Sequence, residues 1–362
     1  MAGRLSLTIA HVNDTLEVGG AEVLIAQLCR LHREQGHNVE VHALLKGGPV
    51  AERLRALGIP VYLHGPGSRL RVTRNLLAAL RRTRPDVVHC HNRMATNWAA
   101  PAARWAGVPV IVSTRHGLVP PPFSLRGELQ FAVAARLCSA VAGVCEATTR
   151  NLSRAPLAAR SRLVTVYNGA APAPRAAVPP ELPKRGFTLV YVGRLAPPKD
   201  LATVLHAVAA VRSRGRDVCF WIVGDGALRG PAERLASELG LHDAVTFWGE
   251  QACAGDFYAA ADAFVLSSSS EGLPLALLEA MAAGLPVIVS AAGAMPEVVN
   301  GGGGGIVAPA GSVEGFAEAI GRLAGDAALR TAMGQAGRTH YLAHFTPERM
   351  AERYLELYRT CQ

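Results

Sequence analysis

Two glutamates stand eight residues apart in SSSSEGLPLALLEAMAAGLPVIVS, Glu271 before a short apolar run and Glu279 inside it. Pro274 fits a first helical turn, so residues 275–283 read as a short helix leaving the loop 267–272. The unpaired N–H groups and the dipole of such a helix start favour a diphosphate. On this reading Glu271, Gly272 and Leu275 surround the helix start. The two carboxylates accept hydrogen bonds from separate hydroxyls of one ligand. The plainer alternative has Glu271 capping the helix and Glu279 in solvent.

A second set is Arg194, after Gly193, and Lys199 five residues on. A guanidinium fork and a point charge at one strand end suit two adjacent phosphates; the alternative is ordinary surface charge. A third is Gly19-Gly20-Ala21-Glu22, where paired glycines before a helix admit close approach of an anion, though such a pair also marks simple turns. IVGDGALRG has Gly224 and Gly226 but Arg229 where a dinucleotide fingerprint needs glycine. It reads instead as a turn beside a nucleobase. Glu250 ends a further strand. His116, in STRHG, ends another, within reach of a sugar or packed at the strand end. His89 and His91 are read as facing opposite ways, with only His91, beside Asn92, on the ligand side.

No Asp-x-Asp pair, His-Glu-x-x-His or cysteine cluster offers metal ligands, and no G-x-x-x-x-G-K-[ST] loop argues for ATP hydrolysis. No metal is expected.

The elements that must hold these residues form one pattern written twice. LSLTIAHV, a glycine-containing loop over 13–20, a helix over 21–35 and VEVHALL open the first half. FTLVYVG, RLAPPKD, a helix over 201–214 and VCFWIVG open the second. DVVHCH, VPVIVSTRH and AVAGVC then continue one half, and AVTFWG, AFVLSS and PVIVSAAG the other. Apolar strands alternating with helices predict a doubly wound parallel sheet in each half, with ligands beyond the C-terminal strand ends. A Pro-rich stretch near 170–184 reads as the linker, residues 301–305 as a tight surface turn before the short strand GIVAP, and Thr346-Pro347 as the start of a last helix.

With 362 residues, 50% hydrophobic and 18% charged, two packed domains are the default. The net charge of +9 is uneven, +13 over residues 1–178 and −4 over 179–362, so the halves face different partners. Six arginines from Arg69 to Arg84, with Leu76, Leu77 and Leu80 as an apolar stripe, suit an anionic membrane surface or a solvated helix face. Seven scattered cysteines without a C-x-x-C pair read as reduced, most of them core residues, in a cytoplasmic protein. The nearly uncharged run 272–296 is cut by Pro274, Gly284 and Pro286, which argues for a helix and a strand rather than a membrane span.

In order, VGGAE, PDVVHCHN, STRHG, VYNGA, YVGRLAPPKDLATVLHAVA, IVGDGALR, VTFWGE and EGLPLALLEAMAAGLPVIVSAAGAMPEVV resemble the retaining glycosyltransferases of family 4, or group 1. The resemblance covers nearly the whole chain, and its last piece contains the family's paired glutamates. It implies an α/β GT-B fold with two Rossmann-like domains facing a cleft. Residues 1–172 would bind the acceptor, residues 173–345 the nucleotide sugar, and a helix at 346–362 would cross back to the first domain. The implied activity is transfer of a hexosyl-type sugar, with retention and without metal or cofactor, from a nucleotide-diphosphate sugar to a glycan or polyprenyl-linked acceptor. Polysaccharide or glycolipid synthesis at the inner face of the cell membrane is the implied setting. A UDP-sugar is favoured over a GDP-sugar.

Arg194 and Lys199 would then hold the diphosphate, Glu279 the ribose and Glu271 the transferred sugar. Gly272 and Leu275 would lend amides, Gly19 and Gly20 would approach the diphosphate, and His116 would lie near the sugar. Asp200 after Lys199, and AAGA at 291–294, depart from the family pattern. The rival readings are a nucleotide-sugar epimerase of the same shape, an oxidoreductase, which the broken fingerprint opposes, and a nucleic-acid binder, which the lack of aromatics among the arginines opposes.

Overall fold

The computed structural model describes residues 6–118, 125–154, 162–177 and 181–362. Leu5, expected to open the first strand, and residues 178–180 of the expected linker lie outside these. The chain divides into two compact units, Met1–Gly169 with Pro347–Gln362, and Ala170–Thr346.

In the first unit β1 (Thr8–Thr15), α1 (Gly20–Glu34), β2 (Asn38–Lys46), α2 (Pro49–Ala56), β3 (Val61–Leu63), α3 (Arg69–Thr83) and β4 (Val87–His91) alternate along the chain. Next come α4 (Asn92–Ala106), β5 (Val110–Arg115), α5 (Leu125–Ala135), β6 (Ala140–Gly143), α6 (Glu146–Ser153) and β7 (Leu163–Thr165). The strands form one parallel sheet in the order β3-β2-β1-β4-β5-β6-β7. Ala10, Val12, Val88 and Cys90 on one face pack against Leu76 and Leu80 of α3 and Ala99 and Ala103 of α4. The opposite face, offset by one residue, carries Ile9, His11, His89 and His91, all buried.

The second unit contains β8 (Phe187–Val192), a 3-10 turn (Pro197–Lys199), α7 (Leu201–Ser213), β9 (Val218–Val223), α8 (Arg229–Glu238) and β10 (Val245–Gly249). It continues through α9 (Ala254–Ala260), β11 (Ala263–Leu266), α10 (Leu275–Ala282), β12 (Val287–Ser290), α11 (Met295–Gly302), β13 (Gly305–Ala308), α12 (Val313–Gly325) and α13 (Ala327–His344). Its parallel sheet runs β10-β9-β8-β11-β12-β13. The last helix, α14 (Pro347–Thr360), packs on α1 of the first unit, with Tyr354, Leu355 and Tyr358 buried.

Several sequence expectations shift. β1 runs on to Thr15 and α1 begins at Gly20, because hydrogen bonding to β2 continues past Val12. Residues 301–304 are not a plain turn: Gly301 and Gly302 finish α11 and Gly303 closes it at φ +64°, while Gly305 opens β13, the expected short strand. The run 272–296 is divided among α10, β12 and the start of α11, and among the described residues no helix is long and apolar enough to cross a membrane. Leu76 and Leu80 are fully buried under α3, so the apolar stripe belongs to the core and only the arginine face is outward.

Candidate active site

Each sheet reverses its strand order once, between β1 and β4 in the first unit and between β8 and β11 in the second. Ligands of doubly wound sheets bind beyond the strand ends at such a switch point. Arg194, Lys199, Glu271 and Gly272 lie on the loops that leave β8 and β11 there. Arg194 follows β8 and is exposed, and its carbonyl accepts from the Tyr191 hydroxyl at 3.1 Å. Lys199 closes the 3-10 turn, and its Nζ donates to Glu271 Oε1 at 2.5 Å with both side chains mostly buried. Ser267, leaving β11, ties the two loops together by donating to the carbonyls of Lys199 at 3.0 Å and Asp200 at 2.7 Å. The Ser269 amide donates to the Pro198 carbonyl at 2.8 Å. Burial pushes the Tyr191 hydroxyl pKa up, and the nearby Glu271 charge adds to that.

Neither glutamate behaves as the plainer sequence alternative requires. Glu271 is ion-paired to Lys199, and no side chain caps α10 at Pro274. The start of α10 therefore presents its amides at the strand ends, with Leu275 its first residue. Glu279, on the second turn of α10, accepts a hydrogen bond from the Tyr258 hydroxyl at 3.1 Å. Burial raises its pKa, and the Tyr258 hydrogen bond opposes the rise. Gly272 accepts from the Ala294 amide at 3.1 Å, and a Cβ on Gly293 would lie 1.9 Å from the Glu271 carbonyl oxygen. With φ at +58°, Gly293 lets the β12 loop close against the Glu271 loop.

Gly224 and Gly226 serve the protein's own backbone. A Cβ on Gly224 would lie 2.0 Å from the Gly193 carbonyl oxygen, and one on Gly226 2.4 Å from that of Leu195. They seat the β9 loop against the turn that holds Arg194. Glu250 follows β10 as an exposed residue.

In the first unit Gly19 precedes α1 with an extended backbone, and a Cβ there would meet the Glu22 carboxylate, which folds back over the helix start and accepts from Asn13 at 2.9 Å. Gly20 is exposed, with open space around its Cβ position. His116 follows β5, and its amide donates to the Asn92 side chain at 3.2 Å. Asn92 itself adopts φ +67°, a left-handed conformation uncommon outside glycine, between β4 and α4.

The expectation for His89 and His91 is overturned. Residues two apart on a strand share a face, and the two rings lie 4.1 Å apart between centroids. Both belong to a buried layer with His11. His89 is held by the Thr114 hydroxyl and the Tyr358 hydroxyl, each at 2.7 Å, and Tyr354 reaches Thr114 at 3.0 Å. Ring nitrogens of His11, His89 and His91 come within 4.8 Å of one another. Both nitrogens of His89 and of His91 are already hydrogen-bonded, so the group is a hydrogen-bond network here.

Sequence reasoning missed Asp14, because it ended β1 at Val12. Burial lifts its pKa to about 6, an amide hydrogen bond at Ala95 opposes this, and the Glu22 charge adds to it. It missed Tyr258 because nothing in the sequence ties α9 to α10. Alternation along TIAHVND does give His11 and Asn13 one face.

Residues 186–326 match the family described as glycosyl transferases group 1, and residues 18–173 the one described as glycosyltransferase family 4. The chain is 30% identical over 358 residues, 97% of its length and 98% of the relative's, to the lipopolysaccharide core biosynthesis glycosyltransferase LpsD of Rhizobium meliloti. The chain belongs to the family 4, group 1 glycosyltransferases. The transferase is also similar to a GDP-mannose-dependent alpha-(1-6)-phosphatidylinositol monomannoside mannosyltransferase of Mycobacterium tuberculosis, 33% identical over 181 residues, 48% of this chain and 47% of that protein. Among solved structures, Anabaena HepE in complex with UDP aligns over 98% of this chain and 100% of its own, with TM-score 0.85 at 19% identity. That likeness gives the transferase the GT-B fold. Family membership also disfavours the epimerase reading.

Proposed function

We propose that this transferase moves a hexosyl-type sugar, with retention and without a metal, from a nucleotide-diphosphate sugar to a glycan or lipid-linked acceptor in polysaccharide or glycolipid synthesis. The observation that carries the proposal is the cluster of Lys199, Glu271 and the uncapped start of α10 at the switch point of the second sheet. Negative charge grows on the departing diphosphate as the glycosidic bond breaks. Lys199, the neighbouring Arg194 and the α10 amides offset it from fixed positions. Glu279 accepts from the ribose and Glu271 from the transferred sugar, with amides at Gly272 and Leu275 assisting. Glu250, Gly224 and Gly226 border the base, Gly19 and Gly20 approach the diphosphate, and His116 adjoins the sugar.

Both nearby carboxylates are engaged, Glu271 by Lys199 and Glu279 by Tyr258, so neither is free as the base of an inverting transfer or as a covalent nucleophile, which supports retention by same-face attack. The leaving phosphate then takes the acceptor's proton on the same face. The similarity to LpsD supports a cell-surface glycan as product. The likeness to HepE with UDP and the similarity to a GDP-mannose-dependent enzyme point to different bases, and we favour a UDP-sugar.

The acceptor would be met by the basic first domain, residues 1–172, in a cytoplasmic enzyme at the inner membrane face. All six arginines from Arg69 to Arg84 are exposed, with Leu70 71% exposed beside them. Since Leu76 and Leu80 are in the core, this contact with anionic lipid would be electrostatic and sensitive to salt. A thermal-shift screen against UDP-, GDP- and ADP-sugars, followed by a transfer assay with product stereochemistry read by NMR, tests the proposal. No stabilisation by any nucleotide sugar, or an inverted product, would contradict it.

A further inference from the structure

Three imidazoles in the first unit are joined end to end. His11 Nδ1 lies 3.0 Å from His91 Nε2, and His91 Nδ1 lies 3.0 Å from His116 Nε2. They come from three adjacent strands: β1 and β4 pair with His11 opposite His89, and β4 and β5 pair with His91 opposite Thr114. His116, two residues beyond Thr114, therefore falls on the same face as the others. The two ends of the row, His116 Nδ1 and His11 Nε2, are buried and have no partner among the described residues. Burial holds all three rings neutral, lowering His11 and His91 well below the usual histidine range and His116 to about 4.

A neutral imidazole has one N–H and one lone pair. Three such rings supply three protons, and each of the two N···N contacts takes one. The third proton must sit at one end of the row, on His116 Nδ1 or on His11 Nε2, and its position fixes the direction of both hydrogen bonds. The ends are not equivalent. Both end nitrogens are covered, but His11 is fully buried, whereas His116 as a residue is partly exposed at a strand end beside the similarly exposed Gly117 and Leu118, the end that a ligand oxygen could approach. A sealed N–H without an acceptor is rarer and costlier than an unused lone pair. With a ligand oxygen at that end the proton belongs on His116 Nδ1, with His11 donating to His91 and His91 donating to His116.

We propose that His91 and His11 are positioning residues that set the tautomer of His116, so that it presents Nδ1–H as a hydrogen-bond donor to an oxygen of the bound sugar. No net proton is moved, because the far end of the row has no partner to receive one. The bound oxygen would satisfy the one orphan donor of the row, so ligand and hydrogen-bond direction reinforce each other. The Asn92 side chain adds to this by holding the His116 amide. The inference rests on the proposed place of His116 beside the sugar.

Nitrogen-15 NMR of the full-length protein labelled at histidine reads the tautomer directly. Nδ1–H at His116 is expected in the wild type, and Nε2–H would overturn the proposal even if every variant failed to fold. His91→Phe removes the donor to His116 while keeping a planar ring. It should lower kcat about tenfold, one lost hydrogen bond, with KM for the donor little changed and His116 shifted towards Nε2–H. His91→Gln, which can still donate to His116, should restore most of the rate. An unchanged kcat in a folded His91→Phe protein overturns the proposal. A fully active His116→Ala protein would instead remove the role of His116 on which the inference rests.

Discussion

Replacing Asp14 by Asn should stabilise the first unit at neutral pH and leave it unchanged in acid. The carboxyl is mostly buried at the end of β1, and its pKa is raised from 3.8 to about 6, chiefly by that burial. A carboxyl whose folded pKa is raised makes the native state bind more protons than the unfolded state between those values. Stability therefore falls as pH rises through that window, and the loss is complete above it. Two units correspond to about 3 kcal/mol, an upper bound for the gain on removing the charge. Asn keeps an acceptor for the Ala95 amide and has nearly the same shape. Urea unfolding of both proteins at about pH 7.5 and about pH 4 measures the gain, taking about 3 kcal/mol as its ceiling. Equal stability at the higher pH, or the same gain at both, would refute the reasoning that burial is what perturbs this group.

Lys199→Ala should lower kcat/KM about 100-fold or more, the usual loss on removing one preorganised donor to developing charge, with circular dichroism unchanged; near-normal transfer would contradict its role. Gly293→Ala forces a Cβ to within 1.9 Å of the Glu271 carbonyl and strains a positive φ. It should cost about 3 kcal/mol and much of the activity, read by thermal melting and a transfer assay. Tyr258→Phe removes the hydrogen bond that restrains the Glu279 pKa. The acidic limb of nucleotide binding, followed by calorimetry across pH, should then move to higher pH; an unmoved limb would separate Glu279 from the donor. Chelation by EDTA should leave the transfer rate unchanged, and a loss restored by divalent cation would overturn the metal-independent scheme.

The strand and helix order of both units was legible because parallel strands buried on both faces are written as uninterrupted apolar runs such as VVHC, FWIV and AFVL. The short edge strands Val61–Leu63 and Leu163–Thr165 were not, since three residues carry too little pattern. Lys199 and Glu271 could be nominated by type and position, but their direct pairing across 72 residues is a product of the β8–β11 switch point and has no local signature. Gly224 and Gly226 were noticed as ligand-side glycines, whereas their close approach to the backbone of Gly193 and Leu195 was not legible. The apolar stripe of α3 was visible from its spacing, whereas the core it enters was not. Asp14 escaped because a strand end was set three residues early, and the histidine row because it is assembled from three strands.

The hydroxyl that holds His89 belongs to Tyr358, 269 residues further along the chain, and the one that meets Thr114 belongs to Tyr354. On the ribosome the first sheet is synthesised long before these partners exist. Its polar layer must therefore wait, open to water and to chaperones, through translation of the entire second unit. Closure of the first unit becomes a late event in synthesis, and damage to α14 would be felt in the half of the molecule that was made first.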